Sequence, residues 1–142
     1  MNQIGNFEEW IRTEMLATAD MLECAGTRVF NSFADPKTPF PYLIFNVIPL
    51  KDKTGQAGST IQTVILCDVQ IYTLPALMEG VDAAITAFKS RLEETRGILF
   101  KGTNIAIRHD KPINRMTRGA ALDEKIIVRG STYKAWLSGS CS

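Results

Sequence analysis

One histidine and three cysteines are all the imidazole and thiol groups that 142 residues offer. Cys24, Cys67 and Cys141 are widely spaced and form no CxxC pair, which excludes a zinc knuckle, a dithiol redox motif and a disulfide framework. Cys67 reads as a small core residue, and Cys141, in the polar run SGSCS, as incidental. His109 has no second histidine at ligand spacing, and neither GxSxG nor HExxH occurs. It reads as an exposed residue at a strand end with no catalytic role. No apolar run nears the roughly 20 residues that span a bilayer, and MNQIGNFEEW lacks the basic start and apolar middle of a signal peptide. A reducing cytoplasm is the expected setting, with no membrane, no metal and no cofactor.

Excess charge is also missing: the net charge is +1. Its distribution is uneven. Residues 1–50 carry three basic and six acidic side chains, residues 51–100 five and six, and residues 101–142 eight and three, a run of −3, −1 and +5. Such polarity is what scattered solvated charge produces, and it also suits head-to-tail contact between copies. With 45% hydrophobic and 22% charged residues, the chain has the make-up of one folded domain, residues 1–142, ending in a flexible tail at 138–142.

Ile61 to Arg96 organises the rest. Ile61, Thr63, Ile65, Cys67, Val69 and Ile71 alternate along one strand face, because successive side chains point to opposite sides. The period then changes: Leu77, Val81, Ala84, Ile85, Phe88 and Leu92 follow the three-and-four spacing of an amphipathic helix. Pro75 fits that helix's first turn, Gly80 lies inside it, and Gly97 ends it. The thirteen residues Ile61–Thr73 would extend to roughly 43 Å at ~3.3 Å per residue, more than an ordinary strand. Either the strand bends or its early part projects as one arm of a hairpin.

Upstream, Asn6 and Glu9 have the spacing of a capping box for a first helix that stops at Gly26, with Phe7, Trp10, Ile11, Met15 and Leu22 on its apolar stripe. Thr27–Phe33 is a short strand. Pro36, Pro39 and Pro41 stiffen the loop after it, and Tyr42–Leu50 is a strand apolar on both faces. Lys51–Thr60 (KDKTGQAGST) has two glycines but no GK[ST] and no helix behind it, so it is a polar hairpin tip and not a phosphate loop. Downstream, Ile98–Phe100 and Asn104–His109 are short strands about a tight turn, Lys111–Leu122 is a loop, and Glu124–Leu137 is a last long strand that Gly130 bulges or bends. Asp68, on the second face of the long strand, is expected to be paired with a base or solvent-facing. The expected class is α+β: a single mixed or antiparallel sheet with two helices, in the order helix, three strands, helix, two or three strands, with a long protruding hairpin.

The basic third (Lys101, Arg108, Lys111, Arg115, Arg118, Lys125, Arg129, Lys134) lies near Phe100, Tyr133 and Trp136 without any RNP or KH signature. Solvated charge is the simpler reading, ahead of DNA in a channel or an acidic protein surface.

RVFNSF, the proline-bearing loop into PYLIFNVI, VILCDVQIYT running into a helix, and DEKIIVRGSTYKAWL together resemble the tail terminator (tail completion) proteins of long-tailed bacteriophages, over residues 7 to 138. The resemblance lies in the pattern of strands and helices. It implies a non-enzymatic virion protein, assembled in the host cytoplasm, that forms a ring, by expectation a homohexamer. The ring would cap the tail tube protein, stop its polymerisation and join the tail to the head-side connector or adaptor, with DNA passing non-specifically through the lumen. No motif of that family carries over residue by residue. The contact residues expected from the polar loops are Lys51, Lys53, Gln56, Arg115 and Arg118. Two alternatives stand beside this: another neck protein, such as a head–tail connector or adaptor, and a small cytoplasmic ligand-binding α+β domain.

Overall fold

The computed structural model describes residues 3–35, 37–54, 60–94, 98–118 and 125–139, with the backbone alone at 51–54, 60, 61 and 118. Its elements are helices α1 (Gln3–Ala17) and α2 (Ala19–Ala25), strands β1 (Val29–Asn31), β2 (Tyr42–Thr54) and β3 (Thr60–Thr73), helix α3 (Val81–Glu93), and strands β4 (Ile98–Phe100), β5 (Thr103–Arg118) and β6 (Lys125–Gly139). The strands form one six-stranded sheet in the order β1-β2-β3-β6-β5-β4, antiparallel except for the β1–β2 pair. The class is α+β, as expected, with three helices where two were expected.

Alternation along the central strands assigns the two faces of the sheet. Leu43 and Phe45 of β2, Ile65, Cys67, Val69 and Ile71 of β3, Tyr133, Ala135 and Leu137 of β6 and Ile105 of β5 lie in one buried cluster. Val29 of β1, Phe7, Trp10, Ile11 and Met15 of α1, Met21 and Ala25 of α2, and Val81, Ala84, Phe88 and Leu92 of α3 complete it. Each large apolar side chain removed from water there contributes about 1.5–3 kcal/mol before chain entropy is counted. The helical stripes read from the sequence therefore face the core, with two exceptions. Leu22 is 40% exposed and Leu77 41%.

Both exceptions have local causes. The first helix breaks at Thr18, whose hydroxyl donates to the Glu14 carbonyl and whose backbone is extended (φ −83°, ψ 112°). A threonine bonded back to the preceding turn competes with the helix, and the break turns Met21 and Ala25 inward in place of Leu22. Pro75 opens a separate 3-10 turn, Pro75–Leu77, while α3 begins at Val81. Gly80 is not inside that helix but precedes it in the left-handed region at φ 83°, which accounts for a glycine there. Asn6 is no cap: Gln3 is already helical. Its amide donates to the Lys101 carbonyl (3.3 Å) and Thr103 Oγ1 (3.0 Å), and Glu9 pairs with Lys101 (2.6 Å), so α1 is tied to the β4–β5 turn. Lys101 (φ 48°) and Gly102 (φ 81°) supply the two positive φ values of a two-residue hairpin turn.

The C-terminal half departs most from the sequence reading. The segment from Lys111 onward is not a loop up to Arg118 but the second half of β5, paired with β6 residue by residue from Lys111↔Thr132 to Arg118↔Lys125. Nor does Gly130 bulge β6, whose register with β3 is unbroken from Thr73↔Ile127 to Gln62↔Ser138. A Cβ on Gly130 would sit 1.9 Å from the Val69 carbonyl oxygen, so the glycine permits close strand approach. The register shifts fall elsewhere, between Pro49 and Lys51 and between Lys53 and Thr54 in the β2–β3 ladder, and between His109 and Lys111 in β5. The long β2–β3 hairpin is present, and β3 is flanked on both sides from Gln62 to Tyr72. β6 extends to Gly139, so residues 138 and 139 of the expected tail are strand; Ser140 to Ser142 and Gly97 lie outside the described residues.

Candidate assembly surface

The three helices pack on one face of the sheet, and the register assembles rows of side chains across the other. Tyr42, Tyr72, Val128 and Arg115 form one row, from β2 through β3 and β6 to β5. Tyr42 and Tyr72 stack (5.2 Å between centroids, 7° between planes), and Phe40 and Phe30 pack around Tyr42 at 5.2 and 6.2 Å. The Arg115 guanidinium donates to the Tyr72 hydroxyl (2.8 Å) and lies 5.7 Å from its ring centroid. Two strand positions are thus bridged by one cation on an aromatic face, an attraction of about 0.5–1 kcal/mol where exposed.

A second group sits nearer the other end of the strands. Ile48, Leu66, Lys134 and Arg108 share a row, and the adjacent row brings Val64 beside Trp136. Arg108 and Lys134 both lie over the Trp136 ring, at 5.2 and 5.4 Å from its centroid. Between the two groups, Asn46, Asp68, Thr132 and Lys111 share a row, in which the Thr132 hydroxyl donates to Asp68 at 2.7 Å. Asp68 is therefore held by a hydroxyl and not by a base. This face carries Arg108, Lys111, Arg115 and Lys134 against Asp68, a cationic and aromatic surface fixed on rigid strands.

The residues expected to make contacts divide between the ends of the sheet. The backbones of Lys51 and Lys53 pair with Val64 and Gln62 where β2 approaches the β2–β3 connection. Arg115 and the Arg118 backbone lie where β5 approaches the β5–β6 connection, opposite Val128 and Lys125. Those connections are at opposite ends of the strands, so the fold does not bring the two pairs together. Arg115 stands on a strand and not on a loop. Gln56 lies outside the described residues. Arg108, Lys134 and Trp136 were absent from the expected contact set, since only strand register brings them together.

His109 is not at a strand end. It lies in mid-β5 beside the register shift, half-buried, with a ring nitrogen 3.1 Å from Ser131 Oγ and its ring edge-on to Tyr133 at 5.6 Å. Burial pushes its pKa below the usual histidine value, with Lys89 adding to the shift and Glu93 and Asp110 opposing it. Ser131 is only 4% exposed and Tyr133 1%, which leaves the serine without access for a substrate. Burial likewise raises the Tyr133 hydroxyl and the Cys67 thiol, both away from reactive forms. Among the described residues, no three His, Cys, Asp or Glu side chains stand together as a metal site. The cavity between Met21, Phe88 and Gly130 has room for no more than about one water-sized group.

No family model matches the chain, and no curated protein does. Solved structures do. A chain from the virion of a native gene transfer agent particle has a TM-score of 0.66 at 18% identity, over 97% of this chain and 98% of that one. A second solved chain, whose name states no activity, has a TM-score of 0.55 at 16% identity, over 97% and 94%. At these identities the likeness is one of fold.

Proposed function

We infer that the protein is a structural subunit of a phage-type virion, and that within the virion it acts as a tail terminator: a ring at the end of the tail tube that stops its growth and receives the head-side connector. One observation carries this reading, the end-to-end likeness of fold to a gene transfer agent virion chain. The sequence pattern that resembles tail terminators supports it independently. The division of Lys51 and Lys53 from Arg115 and Arg118 between opposite ends of the strands suits a ring with two axial partners, the tube on one side and the connector on the other. The cationic helix-free face suits passage of a polyanion, since such contacts act on phosphate without reading sequence.

Withholding this protein during particle production tests the assignment. A terminator's loss leaves tails of uncontrolled length, or complete tails that fail to join heads. Tails of normal length joined to heads in its absence would refute it, and normal tails on empty or unstable heads would place the subunit elsewhere in the neck. Replacing Lys51 and Lys53 with Ala is expected to weaken one axial contact, and replacing Arg115 and Arg118 the other, with the melting temperature nearly unchanged. Unimpaired tail completion by the combined variant would remove those residues from the contact set.

A further inference from the structure

Among the described residues, both borders of the sheet are half open. β1 pairs with β2 only at Leu43, Ile44 and Phe45, and β4 pairs with β5 only at Thr103, Asn104 and Ile105. Among the described residues, no strand pairs with the outer side of β2 from Asn46 to Thr54 or of β5 from Ala106 to Arg118. Such long edges invite another chain and are normally blunted.

The ladder gives the direction of each main-chain group. Leu43 N–H donates to Arg28 O and Ser32 N–H to Phe45 O, so residues 43 and 45 face the border, and Val47 and Pro49 follow by alternation. Past the register shift, Asp52 faces outward as well. In β5 the hairpin pair Phe100–Thr103 turns Thr103 and Ile105 toward β4, so Ile107 and His109 face the border. After the shift at Asp110, Pro112, Asn114 and Met116 do so. Each border thus holds one proline whose missing N–H would have pointed outward, the position an edge strand tolerates. The prolines and register shifts bar promiscuous pairing and leave a few outward donors on each side. Apolar side chains stand exposed on the same halves: Ile48 (41%) and Leu50 (48%) on β2, and Met116 (63%) on β5.

We propose that the outer side of β5, from Ile107 to Met116, pairs with the outer side of β2, from Val47 to Asp52, of the next copy. β2 and β5 run in opposite directions within one sheet, so continuing the sheet into a neighbour makes the new pair antiparallel. The contact joins two different borders and therefore propagates head to tail. The free halves lie toward opposite ends of the strands, so neighbours are staggered, and such a sheet closes when its strands tilt about the ring axis.

This inference rests on the ring reading and specifies how its copies join. Asn114→Pro with Met116→Pro closes the β5 border, and Asp52→Pro closes the β2 border, each removing donors that face away from the sheet. Native mass measurement, in solution and on tail tubes, should show either variant at least tenfold weaker in self-association, with little change in melting temperature. An equal mixture of the two should give pairs that grow no further, because one intact border of each kind remains. Independently of any variant, the amides of Ile107, Asn114 and Met116 should exchange with solvent more slowly on assembly. Variants that assemble like the native chain, or amides that exchange equally fast in the ring, would overturn edge pairing and leave the ring standing. A native chain that stays single at tube ends would overturn both.

Discussion

The two faces of one sheet obey different rules. On the helix side, Leu43, Phe45, Ile65, Val69, Ile71, Ala135 and Leu137 are sealed under three helices, and what matters is volume. On the helix-free side, the same strands offer Tyr42, Tyr72, Trp136, Arg108, Lys111, Arg115 and Lys134, held by strand register and by one another. A strand positions both faces equally well, so this second surface is rigid without being a core. The contrast separates changes that unfold the protein from changes that impair its contacts.

Phe88→Ala would break the first rule most severely. The ring is 1% exposed and meets Tyr133 edge-on at 6.0 Å, so its loss should destabilise by about 3–5 kcal/mol in chemical denaturation. Gly130→Ala should come next, at about 1–3 kcal/mol or more, because the new Cβ collides with backbone that cannot yield as a side-chain tip would. A milder cost would mean that β3 and β6 separate more readily than their continuous register implies. On the helix-free face, combined Arg108→Ala and Lys134→Ala should cost about 1–2 kcal/mol at most, since each of the two cation–aromatic pairs contributes about 0.5–1 kcal/mol. Polyanion binding, measured against salt, should weaken by far more in proportion. Equal loss of stability and binding would erase the distinction between the faces.

The core face was legible in the sequence because period carries it. Alternation through Thr63, Ile65, Cys67, Val69 and Ile71, and the spacing of Val81, Ala84, Phe88 and Leu92, both survive in the fold. β5 was not legible past His109. Pro112 and the polar run around it read as a loop, yet a border strand accepts proline where its N–H would face outward. Thr18 concealed a helix break for a related reason, since a hydroxyl bonding back to a carbonyl leaves no trace in hydrophobic period. The helix-free surface was hidden more deeply. Arg108, Lys134 and Trp136 stand on strands whose pairing no local pattern announces, and only the register places two cations over one ring.

We propose that this protein is a ring-forming virion subunit. Imaging the purified protein on tail tubes, together with the mass of the complex released from them, tests it most directly. The expected result is a closed ring of identical copies, one ring per tube end. A chain that remains single and never occupies tube ends would contradict it.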